Sequence, residues 1–475
     1  MKRDFIVVLV GRIIQTISAI IVLRVMSSVL TSIELAKAVL VTTITNLFAL
    51  VSINPVQMFY YRKLNDWLDN KTLGNKFLLL LIYVIVINCF LSAVLLCLYG
   101  FFGSLTGIDI FWLLTLVSGS IIFITINQTV IPTLNMLEKR REAVLFTIIT
   151  TWSSLLLSTL LTYHGGKGEH WILGQIIGAI LGSFFAFLSF FKFVDLSKLK
   201  QIKKYYNQKT RVIKMIAVFS IPISITVGLN WLQLQSYRFY TSKLVGLEYL
   251  GKFSAGYTLS AGIMSAFEAV AMQFFSPIFY KGLGNSNDEK KAKVWNDYAA
   301  YYFPLAILTA SFVVTMAPYL TRLLLHKTFW DVSIYVIWGA IIELFRILGN
   351  AYSMVSHATM KTNKLIHPQL IGAIVALLLV PVMLIYNKEY LGLSLVISSF
   401  IYLIVIHKSM TKQLAIQISF KMVIKVLGFV FPMIVISYLG STISYKFIFN
   451  FLLLMGSGLF YLLGCYFIYL KSRRI

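Results

Sequence analysis

Fourteen apolar runs dominate the sequence, and each is long enough to cross a hydrocarbon layer about 30 Å thick with roughly 20 residues of helix. They lie near 5–29, 36–60, 77–100, 108–134, 143–163, 171–193, 213–237, 251–279, 297–318, 330–356, 367–386, 391–407, 422–440 and 446–470. A chain built this way exceeds what one soluble core can hide: 59% of its residues are hydrophobic, 12% are charged and its mean hydropathy is +0.83. The expected fold class is therefore an all-α polytopic membrane protein of about fourteen transmembrane helices, because in lipid the helix satisfies every backbone group within the segment. The joints between runs leave no room for a soluble catalytic domain of ordinary size.

The first run is flanked by Lys2 and Arg3, contains Arg12, and is not closed by a small-residue cleavage site, so it reads as a retained helix. The formal net charge is +25. With the amino terminus placed inside, the inner segments carry thirty Lys and Arg and the outer segments ten. That asymmetry follows the positive-inside rule and predicts an even helix count with both termini cytoplasmic. Topology and attraction to anionic headgroups account for the basic balance, so nucleic acid is not an expected partner. Cys89, Cys97 and Cys465 all sit in apolar runs with no CxxC spacing, which implies no disulfide, metal or cofactor framework.

Arg24-x-x-x-Ser28-x-Leu30-x-x-x-Glu34 returns 214 positions later as Arg238-x-x-x-Ser242-x-Leu244-x-x-x-Glu248. Arg24 closes the first run and Arg238 the seventh, so both copies lead into the first outward joint of a six-run set and cross the membrane in the same sense. A parallel repeat of this kind points to a transporter. The most polar internal stretch, from Asp195 to Arg211, follows the sixth run. The expected organisation is a bundle over 1–193, a basic cytoplasmic linker over 194–212, a second bundle over 213–410, and two additional helices over 411–475.

A charge near mid-bilayer costs several kcal/mol by most scales, so ionisable residues within the runs face a partner or a wet cavity. Those residues are Arg12, Glu268, Glu343 and Arg346, with Arg24 and Arg238 nearer the outer boundary. Arg12 shares a helical face with Gln15, Thr16 and Ala19, and the seventh run carries a stripe of Thr226, Asn230, Gln233 and Tyr237. Polar stripes on repeat-equivalent helices suit an aqueous pathway; interhelical hydrogen bonding is the alternative. Glu268 lies at a depth like that of Arg12, which leaves two readings open: a pair with Arg12, or a protonatable carboxylate coupled to a proton or sodium gradient. Glu343 and Arg346 are three apart and form a local pair or a coupling site. Arg24 and Arg238 either snorkel to headgroups or bind an anion, for which guanidinium forks are suited.

At the end of the second run stands Asn54-Pro55-Val56-Gln57-Met58-Phe59-Tyr60-Tyr61-Arg62-Lys63-Leu64-Asn65-Asp66-Trp67, and the seventh ends Trp231-Leu232-Gln233-Leu234-Gln235-Ser236-Tyr237-Arg238, followed by Gly251-Lys252-Phe253 and Gly256-Tyr257. These segments resemble the Wzx-type O-antigen and polysaccharide lipid flippases of the multidrug/oligosaccharidyl-lipid/polysaccharide (MOP) exporter superfamily. The resemblance runs over most of residues 1 to about 410; Ala36-Lys37-Ala38 departs from it where many relatives carry a glycine. It implies two six-helix bundles in a V around a cation-lined cavity, in a bacterial cytoplasmic membrane, working by alternating access. The implied substrate is an oligosaccharide on undecaprenyl pyrophosphate, moved from the cytoplasmic to the periplasmic leaflet. A polysaccharide polymerase and a chain-length regulator are implied partners, besides membrane lipids. Carried over by residue, the cavity falls on Arg12, Arg24, Arg238 and Glu268. A multidrug exporter of the same superfamily is the nearest rival, and it would want intramembrane acids rather than arginines. A membrane polysaccharide polymerase or glycosyltransferase would ordinarily carry a large outer loop, and no outer joint here exceeds roughly 15 residues.

Overall fold

The computed structural model describes residues 2–163, 165–192, 209–283, 288–359, 361–417, 420–441 and 447–472. Its described residues are helical throughout, apart from short turns and joints. Thirteen helical segments among them are long and apolar enough to cross a membrane, and Ile14–Val29 adds a shorter apolar helix. The chain divides into two compact units, Met1–Trp231 and Leu232–Ile475. The boundary falls within one helix, α10, downstream of the basic linker expected over 194–212; residues 194–208 lie outside the described residues, and 209–212 already form the first turn of that helix.

Unit 1 holds α1 (Lys2–Val29), α2 (Ser32–Phe48), α3 (Asn54–Asp69), α4 (Leu73–Cys97), α5 (Tyr99–Thr106), α6 (Ile110–Gly119), α7 (Thr125–Met136), α8 (Arg140–Tyr163), α9 (Gly168–Phe190) and most of α10 (Lys209–Gln235). Two π-helical segments, Ala49–Ile53 and Ser120–Ile124, join α2 to α3 and α6 to α7. Proline explains part of this irregularity, and side chains repair it. Pro132 inside α7 has no N–H, so the carbonyl of Gln128 one turn earlier loses its helical donor, and Tyr61 Oη supplies one at 2.8 Å. Beside Pro55, Tyr83 Oη donates to the Ser52 carbonyl at 2.6 Å.

The tightest pairing in unit 1 joins α8 and α9. Gly174, Gly178 and Gly182 recur every fourth residue on α9 and meet Ser158, Ser154 and Thr150, spaced likewise along antiparallel α8. A Cβ on Gly174 would come within 2.3 Å of the Ser158 backbone, so only glycine lets these backbones approach. The approach is then fixed by hydrogen bonds from Ser158 Oγ to the Trp171 carbonyl at 2.8 Å and from Ser154 Oγ to the Gln175 carbonyl at 3.3 Å.

Unit 2 holds the end of α10, then α11 (Tyr237–Leu244), α12 (Leu247–Leu283), α13 (Asp288–Leu324), α14 (Ser333–Ala358), α15 (Ile366–Tyr386), α16 (Leu391–Thr411), α17 (Phe420–Ser441) and α18 (Phe447–Ser472). Its core is aromatic: Trp295 and Phe303 of α13 pack with Tyr352 of α14, Tyr302 packs with Phe267 and Phe275 of α12, and Trp295 Nε1 donates to the Ala351 carbonyl at 3.0 Å. The two last helices seat Val426, Val430, Met433 and Ile468 around Leu308 of α13, so they belong to this unit's core.

The repeated motif marks the same corner in each unit. The first copy spans the α1–α2 turn and the second the α11–α12 turn, where a helix ends at Val29 or Leu244 and the next begins at Ser32 or Leu247. In unit 1 the corner is tied down by Glu34, whose Oε2 accepts the backbone N–H of Gly168 at 2.7 Å while Oε1 pairs with Lys37 at 2.8 Å. In unit 2, Lys252 pairs with Glu248 at 3.7 Å and with Asp331 at 2.8 Å. Each corner is thus bound to the approach to a later helix, the first residue of α9 in one unit and the 3-10 turn Lys327–Val332 that leads into α14 in the other.

Candidate functional site

The charged groups of unit 2 converge on one cluster. Glu343, Arg346 and Asn350 follow one another at three and four residues along α14, and Ser265 and Glu268 are three apart on α12, so each set shares a helical face. Arg346 donates from Nε to Glu343 Oε2 at 2.7 Å and from Nη2 to Glu268 Oε2 at 2.9 Å, with Ser265 Oγ 3.4 Å from Nη2. Tyr257 Oη donates to Glu343 Oε1 at 2.7 Å, and Asn350 Nδ2 to Glu268 Oε1 at 2.8 Å. Every carboxylate oxygen therefore has a donor, as buried charge requires. The side chain of Glu343 is 4% exposed, against 17% for Glu268, so the cluster opens on the Glu268 side. Fully ionised, two carboxylates and one guanidinium leave the group one positive charge short of neutrality.

Arg238 connects to this cluster through aromatic rings. It is 8% exposed, and its guanidinium carbon lies 5.7 Å from the ring centre of Tyr237, whose hydroxyl accepts from Nε at 3.4 Å. Tyr237 in turn packs on Phe253 and on Tyr257, with centroids 5.4 Å and 6.3 Å apart. Arg238, Tyr237, Tyr257, Glu343, Arg346 and Glu268 thus form one continuous path of side chains. Gln233, also in unit 2, is buried with Oε1 facing no donor among the described residues, and a Cβ on Gly372 of α15 would approach that oxygen to 2.6 Å.

In unit 1, Arg24 lies near the end of α1 and its Nη1 is buried with no hydrogen-bond partner among the described residues. Asn230 is half-buried on α10. The side chain of Arg12 lies outside the described residues. A polar cavity of about 270 Å³ opens between α7, α8 and α9, lined by Asn127, Gln128, Thr150, Ser154 and Gln175 among others and by no ionisable side chain. Asn127 Nδ2 bridges Thr150 Oγ1 at 3.1 Å and the Ala179 carbonyl at 3.3 Å. Gln57 of the Asn54–Trp67 segment is buried and donates to Thr129 Oγ1 at 2.6 Å.

Of the residues singled out in the sequence, the structure brings Glu268, Glu343 and Arg346 together and joins Arg238 to them. Glu268 finds its cation on α14, within its own unit. Sequence alone does not flag Ser265 or Asn350, and it marks Tyr257 only within the Gly256-Tyr257 segment, not as a partner of Glu343. Their signal is polarity at helical spacing from a membrane carboxylate, and Asn350 is one turn beyond Arg346. Among the described residues no group of three or more His, Cys, Asp or Glu could hold a metal ion.

No family model matches the sequence, and no curated protein matches it. Solved structures do match. The lipid II flippase MurJ in an inward closed conformation is similar over 99% of each chain, with a TM-score of 0.68 and 15% identity. An inward-facing multidrug resistance MATE family transporter of the MOP superfamily covers 85% of this chain and 95% of its own, with a TM-score of 0.66 and 13% identity. The outward-facing conformation of a MATE family transporter covers 87% and 96%, with a TM-score of 0.57 and 13% identity. At these identities the likeness establishes the fold, that of the MOP superfamily transporters. The expected all-α polytopic class holds, and the neighbours are transporters and a flippase rather than enzymes.

Proposed function

We propose that the chain is a flippase of the bacterial cytoplasmic membrane, with both termini cytoplasmic. Its substrate would be an oligosaccharide repeat unit of O-antigen type on undecaprenyl pyrophosphate, moved by alternating access to the periplasmic leaflet. The observation that carries this reading is the pair of echo arginines. Each unit presents one at the same helix corner; Arg24 buries an Nη1 that meets no acceptor among the described residues, and Arg238 is buried against the ring of Tyr237, so an anionic substrate would be stabilised most at Arg24. The potential assists the direction, since each negative charge moved outward gains about 2.3 kcal/mol per 100 mV. The Glu268–Arg346–Glu343 cluster supplies a place for a coupling proton or sodium ion, because it is one charge short of neutral. A polysaccharide polymerase and a chain-length regulator would take over the translocated unit.

A multidrug exporter is the second reading. It is favoured by the same net negative cluster and by a cavity of about 340 Å³ in unit 2, walled by Phe267, Phe274, Phe275, Tyr301 and Tyr461, which would suit a lipophilic cation. Deletion of the gene followed by a leaflet-resolved assay of the lipid-linked unit separates the readings. Accumulation in the cytoplasmic leaflet is the expected result. Units already outside but not elongated would point to a polymerase. Normal polysaccharide with new sensitivity to lipophilic cations would point to the exporter.

A further inference from the structure

The uncharged cavity of unit 1 plays no part in the reading above. It lies beside α1, α7, α8 and α9 and runs from the level of Trp171 to that of Ala179, about 12 Å of helical rise, with a volume of about 270 Å³. We propose that this cavity binds one uncharged sugar ring of the translocated lipid-linked unit, held by the carboxamides of Gln128 and Gln175 against a wall of acceptor oxygens. The inference rests on the flippase reading for the origin of the sugar, and it adds a site and a selectivity.

The wall is rich in oxygens that can only accept. Thr150, Thr151, Ser154 and Ser158 follow one face of α8 along the cavity. Each gives its own proton to a backbone carbonyl: Thr150 to Phe146 at 2.8 Å, Thr151 to Thr147 at 2.9 Å, Ser154 to Gln175 at 3.3 Å and Ser158 to Trp171 at 2.8 Å. Asn127 gives its two amide protons to Thr150 Oγ1 and the Ala179 carbonyl, so its Oδ1 also only accepts.

Two carboxamides stay free. The side chains of Gln128 and Gln175 line the cavity and hydrogen-bond to none of the described residues. Gln128 is exposed, and Thr150, Thr151, Ser154 and Gln175 are half-buried, so the lining is reached from the surface. Trp171 Nε1 also lacks a partner among the described residues, but it is fully buried and is assigned no contact with the ligand.

This chemistry selects the ligand. A cation is disfavoured, because no ionisable side chain lines the cavity to balance it. An anion, whether uronate or phosphate, would face oxygens that cannot donate to it. An apolar group would leave those oxygens without donors, which is costly for buried acceptors. A sugar hydroxyl both donates and accepts, so a ring of them supplies the acceptor wall and still receives bonds from Gln128 and Gln175 Nε2. Water meets the same requirement, and a sugar has to displace it. The volume lies just below the range of about 300–1,000 Å³ for small-ligand pockets, which suits one ring and not a whole repeat unit.

Saturation-transfer NMR on the full-length protein, in a detergent without a sugar headgroup, tests this. The probes are the methyl glycosides of glucose, galactose, mannose and N-acetylglucosamine, with methyl glucuronide and methyl galacturonide as charged counterparts. At least one neutral glycoside is expected to bind, and the charged counterparts at least about tenfold more weakly. Gln128→Leu with Gln175→Leu weakens binding at least about tenfold, as the loss of two hydrogen-bonding side chains requires. Gln128→Leu alone, at an exposed position, weakens it less, and an unchanged unfolding temperature shows that neither variant is misfolded. Transfer to none of the neutral glycosides leaves the cavity to water and overturns the site. So does equal binding of the charged counterparts, or binding that survives the double variant. The leaflet-resolved assay keeps the two readings apart. A wild type that translocates the lipid-linked unit but binds no glycoside loses the site and keeps the flippase, whereas glycoside binding with both leaflets unchanged on deletion keeps a sugar site and loses the flippase.

Discussion

Arg346 is the residue on which the charged cluster of unit 2 depends, and Arg346→Met isolates its contribution. Methionine fills a similar space with a flexible apolar chain, so the variant removes charge and hydrogen bonds with little change in volume. It leaves Glu268 and Glu343 facing one another with only Asn350 and Tyr257 as donors. Removing one partner of a buried ion pair costs about 3–5 kcal/mol, far more than removing the whole pair, because an uncompensated charge stays behind. Spread over a unit that spans Leu232–Ile475, that loss lowers the apparent unfolding temperature by about 6–20 °C. The assay is thermal unfolding of the detergent-solubilised protein followed by fluorescence at a fixed heating rate. Two controls give the measurement its meaning. Glu343→Gln leaves Glu268 and Arg346 balanced and is expected to shift stability by no more than about 1 kcal/mol. The triple variant Glu268→Gln, Glu343→Gln, Arg346→Met keeps the amide partners of Tyr257 and Asn350 while removing all three charges, and it should recover most of the loss. An Arg346→Met protein that unfolds within about 2 °C of wild type, or a triple variant no more stable than it, would refute the charge accounting.

Arg24→Ala combined with Arg238→Ala should abolish surface polysaccharide while protein level and lipid-linked precursor synthesis stay normal; a double variant with normal polysaccharide removes the anion-binding reading. Tyr61→Phe removes the donor to the Gln128 carbonyl at Pro132 and should cost about 0.5–1.5 kcal/mol, yet cost nearly nothing beside Pro132→Ala, whose restored N–H serves that carbonyl; equal costs in the two backgrounds would contradict the repair. Gly178→Val would push a Cβ to within 2.4 Å of the Ser154 backbone and should prevent accumulation of folded protein, whereas Gly262→Ala on α12, with open space around it, should be neutral or stabilising by up to about 1 kcal/mol as read by thermal unfolding.

The helices were legible because their cause is local. A run of apolar residues long enough to cross hydrocarbon must satisfy its own backbone, and the helix does so within the run, whatever lies beside it. The spacing of Glu343 and Arg346 likewise predicts contact, since three residues return to one helical face. The third member of the cluster was not legible. Glu268 is 75 positions from Glu343, and nothing in its surroundings on α12 tells that its partner is Arg346 rather than Arg12 of a similar depth. Partner choice across helices depends on how two faces meet, which is set by packing details such as Gly339 of α14 closing on Ser260 of α12. The α8–α9 junction is intermediate. Its glycines at 174, 178 and 182 carry a small-residue signal in the sequence, but the matching Ser158, Ser154 and Thr150 acquire meaning only once the helices are paired.

The repeated motif sharpens the same distinction. Its four letters recur at the same turn in both units, so a local rule reproduces the corner: a helix ends, a short turn follows, and an acid begins the next helix. The partners of those letters differ. Glu34 accepts a backbone N–H from Gly168, whereas the second corner is tied through Lys252 to Asp331. The arginines diverge further. Arg238 lies on Tyr237 and is linked through rings to the Glu343 cluster, while a buried Nη1 of Arg24 meets no acceptor among the described residues. A buried guanidinium nitrogen without an acceptor is the costlier of the two and gains more from an incoming anion. Within its own unit Arg24 is therefore the better placed of the two to take an anion, while Arg238 is tied to the carboxylates of unit 2, so identical letters in the sequence are put to different uses.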